Sequence, residues 1–597
     1  MSSRRSPLLP LNLFMLLFAL SAVTGVWPAY DPSLSTGALV TILFGIALYF
    51  ALAYLARSAT AIRAAAVASL IVAVAFGLYF ILQCGHQDYP EKGGIIARLG
   101  KLTTLLPDLG GFSPFPNAAA TFLEVAVPLG IALTLSSRIR SSRIALAVGA
   151  LIVAYAVFLT ASRGSWLALA ATGGIAVALV LLARLPRRAA TVVIGIGLVA
   201  IVVAFVAIVV LGPDRLPFLS STFSRATDRG RLYQNSLYLA GDYAFTGAGL
   251  GDIFPMVYSR YGLLLQVPFL SYAHNLPLSV WLNQGLLGAI ALAALIVTFY
   301  VFVYRVGRSG RATAVFHGAW LGVTATLLHG LTDAPQYATG DRWTTPMMFV
   351  GMGLAAASGR LALCVMASPE GRDARSIPRV VWVAVPAAVV ALVVIIHGPL
   401  LARWHTNLGA IAETRAELAE GLTRHQRQDG FAAAIAEYQA ALAIDPAQSN
   451  ANRRLGNLLA NLDRFDEAAP LLETAWEKES DNPAAIKGLG LAYTWVGRAQ
   501  DAAQLFLRLD DPASMSSELY TWANYRLEQN RPLLAAYAFE AAQAMYPAST
   551  DLDVWLAIAE AYHAAEQLDA ARTWYNRVLE VEPDNERARN ALAEIGR

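Results

Sequence analysis

Residues able to do chemistry gather in three stretches. Ser162-Arg163-Gly164 is a tight turn between two long apolar runs. An arginine there stands at lipid headgroup level, where its fork of donors can hold a phosphate through two parallel hydrogen bonds. The plainer reading is an interfacial arginine snorkelling to water. The second stretch, 212–276, carries Arg215, Arg225, Arg229, Arg231 and Arg260 against Asp214, Asp228, Asp242 and Asp252. Within it, apolar positions at 232, 233, 237 and 239 predict a short helix over 229–241 lying on the membrane surface, with Arg231 near lipid phosphates. The third is His274-Asn275, directly before an apolar run that starts near Pro277. Asn275 suits the cap of that helix and Pro277 its first turn. A helix N-terminus attracts anions, and a neutral histidine beside it could accept a proton. A solvated loop and an idle interfacial histidine are the plainer readings of the last two stretches.

Other candidates are thinner. Gly247, Gly249 and Gly251 lack dinucleotide-binding spacing and follow no strand. Asp31 stands alone in its connection, so no metal site is expected, and no cofactor. Glu124, His317 and His329 fall inside apolar runs and would suit a polar transport route. The two cysteines, Cys84 and Cys364, fall at opposite bilayer faces in the topology below and have neither metal nor redox spacing.

The elements that must position these residues are membrane helices. Hydrophobic residues make up 56% of the chain and charged ones 15%, outside the globular range. Eleven runs have the length a bilayer requires, at roughly 11–27, 37–56, 64–83, 118–136, 144–161, 166–183, 189–211, 277–303, 313–331, 343–359 and 380–402. The first also fits a signal peptide, with Arg4 and Arg5 ahead of it and Ala19 and Ser21 as cleavage-site residues. With Arg4 and Arg5 inside, alternate connections hold every short-loop arginine cluster: 57 and 63; 138, 140 and 143; 184, 187 and 188; 305, 308 and 311; 360, 372, 375 and 379. All three candidate stretches then lie outside, together with 28–36, 84–117, 332–342 and the C-terminal domain.

The net charge of +3 conceals a division: residues 1–402 carry 27 Lys+Arg against 13 Asp+Glu, and 403–597 carry 18 against 29. A membrane domain with basic loops joined to a solvated acidic domain accounts for this, and no basic aromatic patch points to nucleic acid. The expected domains are 1–402 and 403–597. In the tail an aromatic-or-aliphatic-x-x-Ala pattern aligns at Phe431, Phe465, Ala499, Pro532 and Leu568, in steps of 34, 34, 33 and 36 residues. Ala434, Ala468, Ala502, Ala535 and Ala571 permit close helix approach, and Pro446, Pro547 and Pro583 stop second helices. Over about 413–597 this resembles the tetratricopeptide repeat, with five units and an α-solenoid whose concave face takes a protein partner, or else a rigid spacer. Departures are Ser480 where proline is usual and Asp510-Asp511-Pro512 closing the third unit.

Six short pieces over about 112–300 together resemble the O-antigen ligase and polymerase superfamily. They are Pro114-Phe115-Pro116-Asn117-Ala118, Leu159 to Gly164, Gly230-Arg231-Leu232-Tyr233, Thr246 to Gly251, Ala273-His274-Asn275 and Gln284-Gly285-Leu286-Leu287-Gly288. Tyr233 and Gln234 stand where that family often has tryptophan, and eleven spans is one fewer than its ligases have. The resemblance implies an all-α, GT-C-like membrane domain of 11–12 spans in a bacterial inner membrane. It also implies transfer, with inversion, of a glycan from an undecaprenyl-pyrophosphate carrier to an acceptor hydroxyl on the outer face. By the same resemblance Arg163 and Arg231 match the pyrophosphate-binding arginines and His274 the catalytic histidine, with Ser162 and Asn275 supporting. Such a site needs charge stabilisation and a base, not paired carboxylates. The acceptor decides between ligase, polymerase and protein O-oligosaccharyltransferase; a transporter and a pure scaffold are the readings from other classes.

Overall fold

The computed structural model describes residues 7–84, 86, 99, 102–105, 107–108, 110–186, 189, 192, 217–265, 270–338, 340–364 and 397–596, without the side chains of 183 and 217–228. All regular structure among these residues is helical. Apart from 189 and 192, the expected span at 189–211 lies outside them, as do residues 380–396 of the last one and Arg4, Arg5, Arg187, Arg188, Arg215, Arg372, Arg375 and Arg379.

The first compact unit comprises 1–240, 244–255 and 269–377. Its helices are α1 (Leu9–Thr24), α2 (Thr36–Leu55), α3 (Ala59–Gln83), α4 (Pro116–Glu124), α5 (Ala126–Ser136), α6 (Arg140–Leu159), α7 (Arg163–Arg184), α8 (Pro217–Asp242), α9 (Phe254–Tyr261), α10 (Leu276–Arg308), α11 (Ala314–His329) and α12 (Thr345–Cys364). Seven helical stretches among the described residues are long and apolar enough to cross a membrane, the α4–α5 pair counting as one. α1 and α11, with 16 residues each, are shorter than the roughly 20 a perpendicular span takes. This is a multi-pass membrane protein.

The sequence accounts for the helix ends. Ser58, Ser162, Asn275 and Thr313 each accept a backbone N–H in the first turn of the helix that follows. Packing follows the membrane rule that small residues let backbones meet. α11 lies on α5, and a methyl group on Gly322 would come within 2.5 Å of the Val125 carbonyl where α4 gives way to α5. α12 packs on α2 and α10 on α1. Leu151, Leu167 and Val297 stay exposed, as suits side chains facing hydrocarbon.

The second unit comprises 241–243, 256–268 and 378–597. The division expected at 402/403 falls within a continuous helix, α13 (His397–Leu418). The helices that follow are α14 (Arg424–Ile444), α15 (Ser449–Asn461), α16 (Phe465–Lys478), α17 (Pro483–Trp495), α18 (Ala499–Phe506), α19 (Pro512–Glu528), α20 (Pro532–Met545), α21 (Leu552–Ala564), α22 (Leu568–Val581) and α23 (Glu586–Ile595). They form five pairs and a terminal helix, and every aligned alanine, from Ala434 to Ala571, lies in the second helix of a pair with no exposed surface. Asp511 caps α19 through the Ser514 N–H at 3.0 Å, which explains the acidic close of the third unit.

Candidate functional site

His274 sits in the left-handed region at φ 50, one residue before the Asn275 cap of α10. Asn275 closes the first turn through the Leu278 N–H at 3.0 Å and donates from its amide to the Leu331 carbonyl, also at 3.0 Å. This fixes where the imidazole points. His274 Nδ1 lies 3.0 Å from Asp333 Oδ1, and a quarter of the side chain is exposed.

Asp333 is buried and crowded with donors. Its Oδ1 also accepts from the Tyr272 hydroxyl at 2.6 Å and the Ala334 N–H at 2.9 Å, and its Oδ2 accepts from the Asn117 amide. Burial alone would raise its pKa, but the hydrogen bond and charge of His274 and the Tyr272 hydroxyl outweigh it, and the carboxyl falls to about 2. Because an ionised carboxylate only accepts, the proton of this bond sits on Nδ1 of His274, and the neutral imidazole held this way is the tautomer whose lone pair is on Nε2. The Tyr272 and His274 rings lie 4.1 Å apart between centroids.

The end of α11 and the turn after it receive Arg229, Tyr233, Ser162 and Gly164. Arg229 donates to the Thr332 carbonyl at 2.6 Å, and Tyr233 donates to the His274 carbonyl at 2.8 Å. Arg231, between them on α8, is exposed and takes part in an interaction of its own. The helix expected at 229–241 is the second half of α8; Leu232 and Leu239 are buried there, whereas Leu237 is exposed. Ser162 caps α7, with its Oγ 3.3 Å from His329 Nε2. Gly164 lies so close to this turn that a methyl group on it would meet Thr332 Oγ1 at 2.7 Å and His329 Cδ2 at 2.8 Å. Arg163, the first residue of α7, is exposed.

Beneath Ser162 lies a buried pair. Glu124 Oε2 is 2.9 Å from His329 Nδ1 and accepts from the Ser165 hydroxyl at 2.9 Å. His317 takes no part in that pair; it accepts from the Trp320 indole at 3.2 Å, one turn along its own helix. The three polar groups expected to mark one route are therefore divided.

Two further sequence pieces meet through backbone. Gly247, Gly249 and Gly251 have φ of 73°, 133° and 91°. A methyl on Gly249 would reach Ala29 Cα at 2.8 Å, and one on Gly251 would collide with the Leu34 carbonyl. Gly285, at φ 65, kinks α10 against the Phe245 carbonyl. This glycine run serves the close approach of backbones.

In the second unit the loop residues are gripped by the repeats. Asp242 has no exposed surface and accepts from Arg453 at 2.5 and 2.7 Å, Arg454 at 2.9 Å and Asn450 at 2.7 Å. Burial opposes its ionisation, but the two guanidiniums more than compensate and its pKa is lowered. Arg454 also reaches Glu413 and the Tyr243 hydroxyl, and the Tyr261 hydroxyl donates to Asn482 at 2.6 Å.

Sequence reasoning missed Asp333, Tyr272 and the bond from Asn117. Asp333 carried one signal, an acid four residues after His329 in a short connection between apolar runs.

Comparisons with known proteins agree with this organisation. Residues 148–293 match the family model described as O-Antigen ligase, and 462–521 and 526–595 match tetratricopeptide repeat models. No curated protein matches the chain. Among solved structures, two of MamA match at 18% and 20% identity, covering 31% and 27% of this chain and 92% and 93% of theirs, with TM-scores of 0.18 and 0.16. YrrB, described as a TPR protein with an unusual peptide-binding site, matches at 18% identity over 31% of this chain and 91% of its own, with a TM-score of 0.18.

Proposed function

From the premise that the chain carries an O-antigen ligase domain followed by tetratricopeptide repeats, we propose that it is a glycosyltransferase of the outer face of the bacterial inner membrane. It moves a glycan from an undecaprenyl-pyrophosphate carrier to an acceptor hydroxyl. The observation that carries the reading is the His274–Asp333 pair, built into a turn that also receives Arg229, Tyr233 and Gly164.

The chemistry follows from the proton inventory. With Nδ1–H held by Asp333, Nε2 of His274 takes the proton of the acceptor hydroxyl as its oxygen attacks the anomeric carbon. The bond from that carbon to the pyrophosphate oxygen breaks, and its electron pair leaves with undecaprenyl pyrophosphate. Asp333 stabilises the imidazolium that forms, and Arg163 and Arg231 stabilise the charge on the leaving group. A single displacement inverts the anomeric centre.

Localisation of the repeat domain outside is supported by 241–243 and 256–268, which belong to one connection between spans and share a compact unit with the repeats. The test is replacement of His274 by alanine in a strain lacking the native copy. Lipid-linked glycan should accumulate and transfer fall about a thousandfold, with the protein still inserted. Undiminished transfer would remove His274 as the base. Chemical identification of where the glycan ends up separates lipid, glycan and protein acceptors.

A further inference from the structure

The repeat unit holds a cavity of about 780 Å³, within the range of small-molecule sites. One wall comes from Leu263 and Leu265, the rest from α15, α17 and α19 and the turns that follow α15 and α19. We infer that this cavity is a saccharide-binding site that holds a short stretch of glycan. The ligand class rests on the transferase reading above.

The lining suits a polyol. A sugar hydroxyl donates and accepts at once, so its natural partners are side chains that do both. Asn457, Asn461 and Gln529 each place an amide here. Gly488 has no side chain, and a methyl group there would come within 2.5 Å of Asn457 Oδ1; the cavity keeps its width because of that glycine. Aromatic faces for the apolar side of a sugar ring come from Trp522, which is half-buried, and Tyr525, which is 47% exposed; their centroids are 6.0 Å apart.

Arg526 and Arg531 share the one carboxylate of Asp463, at 3.4 and 2.7 Å, which leaves one positive charge and N–H donors beside the cavity for the oxygens of a sugar. Arg526 is held over the Trp495 ring at 5.0 Å, and its buried Nε has no hydrogen-bond partner among the described residues.

The experiment uses the full chain in detergent micelles. The probe is the oligosaccharide released by mild acid from the lipid-linked pool of the host, titrated by calorimetry beside a mixture of unstructured peptides. Saccharide binding is expected, weakened at least about tenfold by Trp522→Ala, and by Asn461→Ala and Gln529→Ala, two exposed positions whose loss should leave the melting temperature unchanged. Binding should persist in His274→Ala. Absence of saccharide binding, binding indifferent to all three variants, or displacement of the saccharide by peptide would overturn the inference. Failure of the transferase reading looks different: His274→Ala would then accumulate no lipid-linked glycan, whatever the cavity binds.

Discussion

At the scale of residues, the role proposed for His274 as a base depends on Asp333. Asp333→Asn keeps the size of the side chain but lets its amide donate to Nδ1, which moves the imidazole proton to Nε2 and removes the lone pair facing the acceptor. Transfer should fall roughly a thousandfold, measured as product formed in membranes at saturating donor. The same carboxylate ties stability to pH. Its pKa in the fold is about 2, below the ordinary carboxylate range, so its contribution is complete above about pH 4 and is lost as pH falls toward 2. A shift of this size is worth about 2 kcal/mol. Melting curves of purified protein between pH 6 and 3 should show wild type losing stability relative to Asp333→Asn; parallel curves would contradict the pairing. Arg163 and Arg231 answer to geometry, since lysine keeps the charge and loses the fork. Arg163→Lys and Arg231→Lys should each raise the KM for donor about tenfold or more. Wild-type KM in both would remove the pyrophosphate assignment.

At the scale of elements, α8 is one helix whose last turn ends in a buried charge. Asp242→Ala would leave Arg453, which is 1% exposed, without its carboxylate, at a cost of about 3–5 kcal/mol. A fall in the melting temperature of the purified chain is expected, together with protease sensitivity near 241–268; an unchanged melting temperature would show the cluster to be dispensable. The pKa of Asp242 is lowered, so this grip too is present at neutral pH and weakens on acidification. The helices were largely legible beforehand. Apolar runs of bilayer length, the Asn275-x-Pro277 start and the 34-residue period each rest on local rules that survive folding. The limits of α8 were not, because its apolar positions are short of a bilayer length and are interrupted by polar residues throughout.

At the scale of the whole molecule, the topology can be read with cysteines. Cys364 is exposed at the end of α12, on the side the arginine distribution assigns to the cytoplasm, and Ser517 is exposed in the repeats. A membrane-impermeant maleimide applied to spheroplasts should spare Cys364 in the wild-type chain and label a Ser517→Cys, Cys364→Ser variant. The opposite pattern would place the repeats, and the cavity they contain, inside the cell.

The sequence by itself determined the class of the protein, its repeat period, and the arginines and histidine that stand out against apolar surroundings, because composition, periodicity and charge are local quantities. Only the tertiary structure decided what His274 faces. Asn117, Tyr272 and Asp333 are separated by up to 216 residues and share no spacing, and they meet at the Asp333 carboxylate because the start of α4 and the connections before α10 and after α11 come together. The same holds for Asp242, an ordinary loop acid in sequence and a buried ion-pair centre once the repeats enclose it.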